Sequence, residues 1–209
     1  MPHILASLTA FIASATLLTI APGLDTALVL RTAAAAGSRP AALTGLGIAA
    51  GCFAWAMLVA LGLGALLATS ELAYTVMRWA GAAYLVWIGI KMLSQPRREF
   101  PSGMRELDRK GRAFSIGLLT NLLNPKVGVF YVSFLPQFVP QGVPVGPYIL
   151  LLGAIHAGLG LLWFAGLIAA TRPIARFLKK PGVVQGCDRL TGGLFVAFGV
   201  GLALQSRRA

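Results

Sequence analysis

Leu17-Leu18-Thr19-Ile20-Ala21-Pro22-Gly23-Leu24-Asp25 sets a helix breaker and a carboxylate inside a stretch otherwise long and apolar enough to cross a bilayer. An ionised aspartate at mid-membrane costs about 2.5 kcal/mol or more, so Asp25 needs a partner or a function there. The surrounding composition agrees with a membrane setting. Of the 209 residues 57% are apolar and 11% charged, whereas ordinary soluble domains carry about 25% charged residues. Mean hydropathy is +0.78. The net charge of +12 does not point to nucleic acid, because the basic residues sit almost entirely between apolar segments, where cytoplasmic loops of membrane proteins collect them.

Working outward, six segments read as spans: 4–30, 41–68, 72–93, 114–138, 147–170 and 189–205. The last is short and glycine-rich, with Gly192, Gly193, Gly199 and Gly201, which weakens helix propensity but suits close packing in lipid. No Lys or Arg precedes Arg31, so the first span lacks the basic leader of a cleavable signal and is expected to stay in the mature chain.

Lys and Arg concentrate in the first, third and fifth connections, as Arg31 and Arg39, then Arg97 to Arg112, then Arg172, Arg176, Lys179 and Lys180. These connections are expected in the cytoplasm, which puts both termini outside. Arg207 and Arg208 run against this assignment and would fit a five-span chain.

The connection 94–113, with Pro96, Pro101, Ser102 and Gly103 among mixed charges, reads as a solvated linker between two halves, 1–93 and 114–209. The halves echo one another in order. Leu17-Leu18-Thr19 returns as Leu118-Leu119-Thr120, Gly45 and Trp55 return ten residues apart as Gly153 and Trp163, and Arg78-Trp79-Ala80-Gly81 returns as Arg189-Leu190-Thr191-Gly192. Three spans per half place the copies in opposite orientations. The expected fold is therefore an all-α integral membrane protein of six transmembrane helices, arranged as two inverted three-helix repeats with broken first and fourth helices.

Proline inside a span removes a backbone donor and leaves polar groups that lipid cannot satisfy, so such breaks face protein or a wet cavity. Pro22-Gly23 would start a half-helix with Asp25 in its first turn, where the helix dipole favours an anion. In Asn121-Leu122-Leu123-Asn124-Pro125-Lys126, Asn124 is a good N-cap and Pro125 a good first helical residue, so free amides are expected there beside Lys126. Brought together, the two breaks set Asp25 against Lys126, bordered by Thr19, Thr26, Asn121 and Asn124. A zwitterionic amino acid carries the same two charges in reverse, which makes the pair a candidate substrate site. The other reading of the same residues is a static ion pair locking two broken helices.

His156, midway along the fifth span, fits either a proton relay or hydrogen-bonded glue between helices. Trp55 and Trp163 lie too deep for an interfacial belt and either wall the cavity or pack, while Trp79 and Trp87 fit the belt. Gln137 lines an exit path or ends its helix. Cys52 and Cys187 have neither CxxC nor metal-ligand spacing and read as buried small side chains; no metal site or cofactor is expected.

These residues resemble the LysE/RhtB amino-acid exporters of the bacterial inner membrane. The resemblance rests on Ala21-Pro22-Gly23-Leu24-Asp25, Gly81-Ala82-Ala83-Tyr84-Leu85 with Gly89, Phe114 with Gly117, Asn121 to Lys126, and Phe134-Leu135-Pro136-Gln137-Phe138. It implies a six-helix secondary exporter driven by the proton gradient, with weight on Asp25, Asn124, Pro125 and Lys126, a small amino-acid substrate and lipid as its partners, and an oligomeric state left open, a homo-oligomer included. Members commonly have Pro-Gly-Pro-Asp where this chain has Leu24, so its first break has one proline fewer.

Two functions of other classes compete. A transmembrane thiol redox carrier would use paired cysteines, but Cys52 and Cys187 occupy non-equivalent places in the two halves. A metal-ion exporter would want several Asp, His or Cys ligands in the membrane. An enzyme is not expected, since no nucleophile and base pair stands at recognisable spacing.

Overall fold

The computed structural model describes residues 2–21, 23–69, 71–96, 112–170 and 180–204, and every regular element among them is helical. Helix α1 (Pro2–Ile20) gives way to α2 (Leu24–Ala36) across the first break, and α3 (Ser38–Thr69) and α4 (Glu71–Ser94) complete the first half. Only Gly37 joins α2 to α3; its φ of 91° is a conformation that side chains with a Cβ rarely adopt. In the second half α5 (Ala113–Leu122) and α6 (Pro125–Val129) flank the second break. A π-helical turn (Phe130–Phe134) and a 3-10 turn (Leu135–Phe138) follow, then α7 (Val145–Ala169) and α8 (Pro181–Leu204).

Three helical stretches are long and apolar enough to cross a membrane, His3–Ile20, Ser38–Gly62 and Val145–Ala169, and two shorter ones are apolar, Ala82–Ser94 and Ala113–Leu122. Two boundaries differ from the sequence expectation. The last helix begins at Pro181, eight residues before the expected start at 189, because a hydropathy window stops at Asp188 and Arg189 although Asp188 is buried in the fold. The fourth span ends in π and 3-10 turns because Pro136 cannot donate in an α-helical ladder and crowds the turn before it. Pro22, most of the linker 94–113, the basic residues Arg172, Arg176 and Lys179, and Gln205, Arg207 and Arg208 lie outside the described residues, as does the Cys187 side chain.

Lipid gives helices no hydrophobic reason to associate, so close approach through small residues carries the packing. Helices α3 and α5 meet at a reciprocal notch: a Cβ on Gly47 would collide with the Phe114 carbonyl, and one on Gly117 with the Thr44 carbonyl. The α4–α8 pair repeats the device, with a Cβ on Gly89 falling 2.7 Å from the Gly192 carbonyl oxygen and one on Gly192 equally near that of Gly89. The echoed glycines Gly45 and Gly153 both lie at the α3–α7 contact, against Phe164 and Ala56 respectively. The largest apolar cluster joins α1, α3, the second break and α7 through residues such as Phe11, Ala56, Phe130, Tyr131 and Ile149. Ser7 donates to the Phe138 carbonyl and accepts from the Tyr148 hydroxyl at 3.1 Å, tying α1 to the 3-10 turn and α7. Both breaks are thereby held against the middle of α3 and α7.

Candidate functional site

At the first break α1 ends with Ala21 still bonded back to Leu17, and Gly23, extended at φ −138°, opens α2 with no side chain capping its amides. Asp25 stands in the first turn of α2. The second break is self-capped: Asn124 Oδ1 accepts from the Lys126 amide at 3.1 Å, and Pro125 takes the first helical position, where its missing N–H leaves nothing unsatisfied. The cap expected from sequence is thus present.

The expectation of free amides there is corrected, however. The Lys126 amide goes to the Asn124 side chain, and the Val127 and Gly128 amides go to the Asn124 carbonyl at 3.1 and 3.0 Å. No free N–H remains at that end to receive an anion, so any anion recognition here falls to the Lys126 ammonium.

The two breaks meet, and each charged group is held by neutral partners from the other. Asp25 Oδ2 accepts from Asn121 Nδ2 at 2.8 Å, and Oδ1 accepts from Asn124 Nδ2 at 3.2 Å. Lys126 Nζ donates to the carbonyls of Leu18 and Ala21 at 3.1 and 3.0 Å, one in the last turn of α1 and one just past its end. Each charge therefore sits at the helix end whose dipole favours it, the carboxylate at the start of α2 and the ammonium at the finish of α1. The Lys126 side chain passes over Gly23, where a Cβ would lie 3.7 Å from its Cδ and Nζ.

Between these groups lies a cavity of about 60 Å³, walled by Thr19, Asp25, Thr26, Cys52, Asn124, Lys126 and His156 along with apolar neighbours. It is wide enough for a few water molecules. Of the residues expected at the site, Asp25, Lys126, Asn124, Thr19, Thr26, Gly23 and His156 line this cavity, and Asn121 reaches it through Asp25. Thr19 bonds back to the Ala15 carbonyl at 2.7 Å.

The tryptophans are not in this wall. Trp55 lies against Gly128 and faces a second, more open cavity of about 400 Å³ between α3, α4 and α6, while Trp163 packs against the Val29, Leu30, Ile48, Phe164 and Leu167 cluster. Gln137 Nε2 donates to the Ser133 carbonyl at 2.7 Å, within the 3-10 turn.

Two site residues escaped the sequence reading. Cys52 accepts from Asn121 Nδ2 at 3.4 Å and lines the cavity. Tyr131, fully buried, shares a 2.9 Å hydrogen bond with His156 Nδ1. A tyrosine just past one break and a histidine in another span are the available signal for this pair. Spacing alone does not reveal that they touch.

The LysE type translocator family matches residues 16–206. The chain belongs to that family. Similar proteins include the homoserine/homoserine lactone efflux protein of Salmonella typhi, 31% identical over 195 residues with 93% of this chain and 94% of the relative covered. The threonine efflux protein of Escherichia coli (strain K12) is 30% identical over 88% of this chain and 91% of its own. The uncharacterized membrane protein YrhP of Bacillus subtilis (strain 168) is 30% identical over 93% and 97%. No solved structure matches the chain. Family and apolar helices together make it a membrane protein of a translocator family, which does not favour the thiol-carrier or metal-exporter readings.

Proposed function

We propose that the protein exports amino acids or close derivatives across the bacterial inner membrane in exchange for protons, using a site near mid-bilayer between its two helix breaks. The observation that carries this reading is the complementarity of the cavity: a carboxylate on one wall, an ammonium on the other, each held by neutral groups that a substrate can replace. A substrate ammonium takes the place of the Asn121 and Asn124 amides at Asp25. Its carboxylate draws Lys126 from the carbonyls of Leu18 and Ala21. Because zwitterion and site are each electrically balanced, binding buries no net charge.

Six transmembrane helices in two inverted repeats, with both termini outside, remain the architecture that accommodates this site. Support comes from the pairing of α3 with α7 and of α4 with α8, the helices that the sequence echoes relate, at contacts built from small residues. Relatives named for efflux of homoserine, threonine and leucine support an amino-acid cargo.

The test is a growth screen of cells overexpressing the protein, challenged with each amino acid at toxic concentration, followed by transport in vesicles. Protection against one amino-acid class is expected, and Asp25→Asn should abolish it while the purified variant stays folded. Normal flux through Asp25→Asn would overturn the site.

A further inference from the structure

The buried Tyr131–His156 pair has no part in holding a zwitterion, yet it borders the same cavity. His156 lies near the middle of α7, is buried with its ring 5.0 Å from that of Phe130, and borders the cavity it shares with Asp25 and Lys126. Tyr131 is in the π-helical turn that continues α6, the element carrying Lys126. π-helical turns inside helices are frequently functional. Across the cavity, Cys52 accepts from Asn121, which holds Asp25. The cavity is thus bordered by two hydrogen-bonded groups, His156 with Tyr131 and Cys52 with Asn121 and Asp25, drawn from α7, the π turn, α3, α5 and α2.

We propose that His156 is the proton-carrying residue of the exporter, with Tyr131 as its hydrogen-bond partner, and that its protonation acts on Asp25 and Lys126 across the cavity they share. This rests on the exporter reading above and adds to it the group that takes the proton. In the neutral state Tyr131 O–H donates to His156 Nδ1. When a proton from the external medium enters the cavity and binds Nδ1, that nitrogen becomes a donor, Tyr131 oxygen accepts, and the tyrosine hydrogen turns away from the ring. Proton and bond counts balance: one N–H forms, the hydroxyl keeps its hydrogen, and release to the cytoplasm reverses the sequence.

The titratable and charged groups facing His156 are Tyr131, Cys52, Asp25 and Lys126. Adding a positive charge beside Lys126 opposes a substrate ammonium bound at Asp25, so proton entry from outside favours substrate release to the outside. A purely structural hydrogen bond would produce no such coupling.

The experiment uses purified full-length protein in phospholipid vesicles, with labelled L-homoserine, L-threonine and L-leucine as probes. Two rates are measured: exchange of labelled for unlabelled amino acid at equal pH on both sides, and accumulation driven by a pH gradient. His156→Gln is expected to lower gradient-driven accumulation by at least about tenfold while exchange falls less than about threefold, and Tyr131→Phe to shift the pH of half-maximal accumulation. Equal loss of both rates in His156→Gln and Tyr131→Phe overturns the proposal in favour of a structural pair, as does unaltered accumulation in His156→Gln. Wild-type exchange without any response to the gradient also overturns it and leaves the exporter reading standing. No wild-type exchange of any probe overturns both.

Discussion

The two helix breaks solve one problem in opposite ways. The second break closes on itself, with the Asn124 side chain and carbonyl taking up the amides that follow and Pro125 having none to satisfy. The first has no side-chain cap at Gly23, and its α1 carbonyls depend on Lys126, donated by the second. Asp25 likewise depends on Asn121 and Asn124. One break is a self-contained support and the other a dependent, and the charged groups lie where the dependence is. On the proposed export reading, a site that lets go of its own contacts to bind cargo is better built from borrowed partners than from local caps.

Removing the loan is the most damaging change. Lys126→Ala leaves the α1 carbonyls and the Asp25 charge without their cation, and should cost about 3 kcal/mol, a fall of roughly 10 °C in the thermal midpoint in detergent, along with transport. An unchanged midpoint would mean that the first break supports itself after all.

Asn124→Ala deletes the cap and one Asp25 hydrogen bond together, for about 2 kcal/mol, whereas Asn124→Ser keeps a cap and loses chiefly the bond to Asp25. Equal midpoints for the two variants would show that capping contributes nothing there. Gly51→Ala places a methyl 2.6 Å from Asn121 Oδ1, so Asn121 must move off Asp25. A stability loss of about 1.5 kcal/mol is expected, with a larger fall in transport per folded molecule. The smallest effect belongs to Gly23→Ser, which gives the first break a cap of its own and should gain a few tenths of a kcal/mol, near 1 °C.

How much of this the sequence discloses follows the range of the interactions. The Asn124-Pro125 cap is legible because it joins residues two apart, and both break positions are legible because Pro and Gly interrupt apolar runs. The destination of Lys126 is not, since its ammonium meets carbonyls 105 and 108 positions away and only the crossing of α1 with α6 decides that. Cys52 reads as a small apolar residue until Asn121 is placed beside it by the glycine-lined contact of α3 with α5. Trp55 and Trp163 occupy echoed positions yet differ in surroundings, one bordering the open cavity and the other within a packed cluster. Equivalence in sequence does not carry over to equivalence of environment.

The borrowed ammonium also has a consequence for how the chain is made. Synthesis runs from the N-terminus, so the Leu18 carbonyl enters the membrane 108 residues ahead of the lysine that will satisfy it. Until Lys126 arrives, that helix end must find water or lipid headgroups, because hydrocarbon offers no hydrogen bonds. The second break carries its cap two residues from the amide it serves and needs no such wait. The end of α1 therefore reaches its final setting only after α6 has been made, and a ribosome-bound chain that stops short of Lys126 is an unfinished structure rather than a folded one.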